Sequence, residues 1–80
     1  MNMNKHFLTK DLYLAGMLYG KNIPFVGINR SNGLCFFVFE NRELCEKLQQ
    51  QFFSGTVEVN ARKFVDGLRV LKDLIFSNNQ

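Results

Sequence analysis

The 80 residues hold ten Lys/Arg against seven Asp/Glu, a net charge of +3, with 46% hydrophobic residues and nine phenylalanines. A chain this short makes one domain and buries only about 60% of its unfolded surface, so an apolar load this high predicts a homo-oligomer. No segment nears the ~20 apolar residues of a membrane span, residues 1–10 hold no apolar run of signal-peptide length, and the scattered basic residues do not demand a nucleic-acid partner.

Residues 1–6, MNMNKH, are polar and read as loose, as do residues 77–80. Thr9 is the expected N-cap of a first helix, with Leu8 stapled onto Tyr13 and Gly20 in the positive-φ position after Tyr19. Leu12, Tyr13, Leu14, Ala15, Met17, Leu18 and Tyr19 go most of the way round this helix, which predicts burial on all sides. Gly16 and Gly20, or Ala15 and Gly16, would let another backbone approach closely.

Residues 25–40, FVGINRSNGLCFFVFE, read as a β-hairpin that starts after Pro24. Asn32-Gly33 suits a type I′ turn, in which both central residues take positive φ. A two-residue loop there sets Arg30 opposite Cys35, Asn29 opposite Phe36, Ile28 opposite Phe37, Gly27 opposite Val38 and Val26 opposite Phe39. One face then carries Val26, Ile28, Cys35, Phe37 and Phe39, and the other carries Phe25, Leu34, Phe36 and Val38. Both faces are apolar, so both are expected to be covered by the chain's own helices or by a second subunit.

Asn41 is the expected cap of a second helix, with Glu43 in its first turn and Gly55 at its end. Leu44, Cys45, Leu48, Gln51 and Phe52 form its core-facing stripe. Residues 56–59 alternate as a short third strand would. Asn60 caps the last helix, Val59 can staple onto Phe64, and Ala61, Phe64, Val65, Leu68, Leu71 and Ile75 define its buried face. Arg62, Asp66, Arg69 and Asp73 run opposite as a self-neutralising, solvated stripe. Gly67, costly in mid-helix, marks a close approach by the hairpin or a partner helix. The expected fold is a single α+β domain spanning residues 1–80, in the order helix, hairpin, helix, short strand, helix. Helices two and three would cover one sheet face, and helix one or a second subunit the other.

No constellation for catalysis appears. His6 is the sole histidine and has no Cys, Asp or Glu at metal-ligand spacing, and no glycine-rich phosphate loop is present. No cofactor or metal is expected. Cys35 and Cys45 read as reduced thiols of a cytoplasmic protein. Phe36, Phe37 and Phe39 beside Arg30 and Lys21 could stack bases, but three large aromatics on a hairpin read first as core or interface. At the hairpin tip Asn29, Arg30, Ser31 and Asn32 offer a polar contact surface, with Arg30 able to grip a phosphate or carboxylate. Lys21 joins them as a donor, and so does Arg42, which opens a helix whose amides favour anions. Phe25, Leu34, Phe36 and Val38, with Tyr13 and Met17 of the first helix, are the candidate oligomer interface.

The runs TKDLYLAGMLYGK, FVFE and VNARKFVDGLRVLKDLI together resemble a small bacterial and phage family known only as a domain of unknown function. The likeness covers residues 8–75, and its motifs are mostly caps and core positions. It implies a phage or mobile-element setting, in which small proteins serve as inhibitors, sequestering proteins or DNA binders. The leading expectation is a non-enzymatic homo-oligomer that binds or sequesters a host protein or a small phosphate-bearing anion, away from any membrane. The alternative is a nucleic-acid binder that uses the hairpin and the scattered basic residues.

Overall fold

The computed structural model describes residues 5–77. In chain order the elements are β1 (Phe7–Thr9), α1 (Leu12–Gly20), β2 (Phe25–Ser31), β3 (Leu34–Phe39), α2 (Arg42–Ser54) and α3 (Ala61–Ser77). The strands form one antiparallel sheet in the order β1-β3-β2. The architecture is α+β around one core, in which Leu14, Met17, Leu18, Phe37, Phe39, Cys45 and Leu71 are fully buried.

The third strand lies at the N-terminus, whereas residues 56–60 form a loop. Phe7 and Thr9 turn inward and Leu8 outward, and Phe7, Leu8 and Thr9 pair with Phe39, Val38 and Phe37. Thr9 therefore ends a strand and is not the helix cap, and Leu8 is aimed away from Tyr13 rather than stapled to it. Asp11 caps α1, its carboxylate accepting from the amides of Tyr13 at 2.9 Å and Leu14 at 3.1 Å. The Thr9 hydroxyl accepts from the Asp11 amide, which holds the strand-to-helix corner. Of the residues expected to be loose, 1–4 and 78–80 lie outside the described residues, and Ser77 closes α3.

The hairpin keeps the expected register from Arg30–Cys35 to Gly27–Val38, with Asn32 and Gly33 both at positive φ. At its base the register shifts. A β-bulge sets Phe25, not Val26, opposite Phe39, and Gly27 takes a φ of 153° that suits glycine. The extra residue exchanges the two faces locally. Phe25 now points inward, with its ring centre 5.2 Å from that of Phe39 and 6.1 Å from that of Tyr19. Val26 is turned out.

As its all-round apolar sequence predicts, α1 is the innermost helix. It packs on β1 and β3, on α2 and along α3. Gly20 is its last residue and not the positive-φ position, which falls to Asn22. The reason Gly20 is small is steric: a β-carbon there would lie 2.9 Å from Val59 Cγ2 and 3.2 Å from the Phe64 nitrogen.

Asn41 and Asn60 cap α2 and α3 as expected, and Gly55 ends α2 in the left-handed region. Cys45 and Leu48 face the core from α2, while Leu44 and Gln51 are exposed. Gly67 of α3 meets α1 head-on, where a β-carbon would stand 3.0 Å from the Gly16 carbonyl oxygen. That contact rolls the buried arc of α3 by about 50° from the expected one, at 100° per residue. Gly67 and Leu74 turn inward, and Ala61 and Val65 turn out.

All three helices contribute to one cluster with the inner sheet residues Phe7, Phe37 and Phe39. Of the two expected covers for the second sheet face, helix one is ruled out: α1 lies in the same layer as α2 and α3. A shortest dimension of 19 Å fits one sheet layer and one helix layer. Among the described residues no helix is long and apolar enough to cross a membrane.

Candidate functional site

The helices leave one sheet face open. It presents Leu8 from β1, Leu34, Phe36 and Val38 from β3, and Gly27, Asn29 and Ser31 from β2, with the bulged Val26 at its edge. Leu8, Leu34 and Val26 are 45%, 45% and 49% exposed, and Phe36 is half-buried. None of these outward side chains is ionisable. Three of the expected interface residues, Leu34, Phe36 and Val38, lie on this face, but Val38, 9% exposed, is already buried within the chain. The other three lie elsewhere. The bulge moves Phe25 to the inner face, Met17 is sealed in the core, and Tyr13 is exposed on α1, on the far side of the sheet.

The expected cationic donors, Lys21, Arg30 and Arg42, are dispersed and each has an intramolecular partner. Arg30 faces inward opposite Cys35, and its Nη2 donates to the Ile75 carbonyl at 3.1 Å, closing the end of α3. Lys21 Nζ donates to the Glu58 carbonyl at 3.0 Å, just before α3 begins. These two cations are separated by the 17 residues of α3, about 25 Å of helix, so one small anion cannot bridge them. Arg42 pairs with Glu46 at 3.0 Å, and the Asn41 side chain already takes the Leu44 amide beside it. Asn29 lies on the open sheet face and Asn32 in the turn. Long cationic side chains have reached the nearest orphan carbonyl or carboxylate rather than a common focus.

Cys35 and Cys45 are free thiols. Burial, with a smaller contribution from Glu46, pushes the Cys45 thiol up to about 11, and its Sγ donates to the Glu40 carbonyl at 3.4 Å. Among the described residues no three His, Cys, Asp or Glu side chains gather as metal ligands would.

Open depressions also mark the surface among the described residues. One, of about 430 Å³, lies where α1 meets β2, between Tyr19, Asn22, Ile23 and Phe25. Another, of about 350 Å³, runs along α3 between Val65, Leu68, Arg69, Lys72, Asp73 and Phe76. Sequence reasoning missed the α3 depression because it placed Val65 in the core and paired Arg69 with Asp73. In the structure only Arg62–Asp66 of that stripe is joined, at 3.4 Å.

No family model matches the chain, and no curated protein and no solved structure does. Its own surfaces carry the functional reading. The dominant one is an uncharged apolar sheet face on a domain whose helices are all on the other side.

Proposed function

We propose that the protein is a non-enzymatic binding protein that acts as a homo-oligomer, assembled through the outer face of its sheet. One observation carries this reading: Leu8, Val26, Leu34 and Phe36 form a three-stranded apolar surface without a charge. A face of that kind loses surface to water when covered, and it meets a second copy of itself without like-charge repulsion. Sheets stacked face to face about 10 Å apart are an established way of covering such a surface.

The same face argues against the nucleic-acid alternative. Phosphate contacts need cations, and the one arginine of the hairpin is turned inward onto α3. A protein partner is also favoured over a small anion, because Lys21, Arg30 and Arg42 are dispersed. In the phage-adjacent setting that the resemblance implies, the oligomer would act in the cytoplasm by occupying a host protein.

Native mass spectrometry of gently purified protein tests the assembly. A clean multiple of the chain mass is expected, and Leu34→Asp and Phe36→Asp should each yield a monomer with an unchanged circular-dichroism spectrum. A monomeric wild-type protein, or an oligomer that survives both substitutions, would overturn the reading.

A further inference from the structure

The close contact of Gly67 with Gly16 leaves α3 with more apolar surface than α1 can cover. Val65 and Phe76, 45% and 66% exposed, stand on one flank three turns apart, about 16 Å, with Leu68 between them. Apolar anchors at this spacing suit the side chains of a helix laid along the flank. Arg69 and Lys72 lie in the middle of the patch. Among the described residues the only ion pair on α3 is Arg62–Asp66, and Asp73 lines the same depression without pairing, so the patch holds two cations against one carboxylate.

We infer that this flank of α3 is a docking surface for an acidic amphipathic helix of another protein, whose apolar side chains seat between Val65 and Phe76 while its carboxylates meet Arg69 and Lys72. The inference rests on reading the chain as a binding protein and is independent of its oligomeric state. Nucleic acid fits poorly, because a phosphate backbone makes no use of Val65 and Phe76.

The probe is a synthetic amphipathic helical peptide with leucines on one face and glutamates on its flanks, beside a version with every glutamate replaced by lysine. Titrated into the full-length ¹⁵N-labelled chain, the glutamate peptide should shift the amide signals of residues 65–76. It should bind at least about tenfold more tightly than the lysine peptide, as expected for two charge contacts. The double substitution Arg69→Glu with Lys72→Glu should reverse that preference, and Phe76→Ala, at an exposed position, should weaken both peptides without loss of fold. Absence of binding, equal binding of the two peptides, or shifts confined to the sheet face would overturn the inference. So would concentration-dependent shifts of residues 65–76 without peptide, which would place a second copy there, or tighter binding of a single-stranded oligonucleotide to the same residues. A monomer that still docks the glutamate peptide would remove only the oligomer reading. An oligomer that ignores the peptide would remove only this one.

Discussion

A β-carbon at Gly67 would sit 3.0 Å from the Gly16 carbonyl oxygen and 3.1 Å from Tyr19 Cβ, both held by a buried helix. A β-carbon at Gly16 would come closer still, 2.6 Å, but to Leu68 Cδ2, the far end of a side chain that can rotate. Each alanine gains about 1 kcal/mol of helix propensity, and overpacking costs about 1–3 kcal/mol where the neighbour cannot move. Gly67→Ala should therefore destabilise the fold while Gly16→Ala stays near neutral. Urea denaturation of the two variants checks that order. Cys45 supports a second prediction at this scale. Its thiol is raised from 9.0 to about 11, so the unfolded chain loses this proton first as the pH rises. The stability tied to the neutral thiol is complete below pH 9 and is lost as the pH climbs from 9 to about 11. The wild-type midpoint should fall across that window more steeply than that of Cys45→Ala. Equal slopes would show that the buried thiol is not the cause.

At the scale of elements, the caps and turns were readable in the sequence because they depend on neighbours a few residues away. Asn32-Gly33 set the hairpin turn, Asn41 and Asn60 started α2 and α3, and Gly55 ended α2. β1 was not readable. Three residues are too few to show alternation, and the partner that makes Phe7 a strand is Phe39, far along the chain. The bulge escaped for a related reason: Gly27 permits it, but only the packing of Phe25 against Tyr19 and Phe39 favours it. Arg30 illustrates how an element's function can mislead. Read as an exposed anion grip, it instead closes α3 through the Ile75 carbonyl. Arg30→Ala should raise amide exchange in the last turn of α3, costing about 0.5–1 kcal/mol locally. Protection unchanged in residues 72–77 would refute that role.

Across the whole molecule, two surfaces of different character face different ways. The outer sheet face has no charge, so its self-association should hold from low salt to roughly 0.5 M, where the Debye length is only a few ångströms. Docking on the α3 flank, built on Arg69 and Lys72, should weaken over the same range. Sedimentation velocity and peptide titration in parallel would separate the two. Dissociation of the oligomer by salt would mean that charged residues outside the sheet face hold it together.

Local structure was legible from the residues alone: the hairpin and its turn, the two asparagine caps, and a first helix apolar enough to become the innermost, with Tyr13 alone left exposed on it. That Leu34, Phe36 and Val38 share one sheet face was also readable, because strand alternation alone puts them together. Which sheet face stays open and which flank of α3 is left over was set by long-range packing. Those outcomes turn on contacts between distant residues, β1 with β3, Phe25 with Tyr19 and Gly16 with Gly67, and no local periodicity encodes them. A bulge of one residue and a helix roll of about 50° are small in geometry. They nevertheless exchange buried and exposed side chains, because alternation in a strand and rotation along a helix turn small shifts into a change of face.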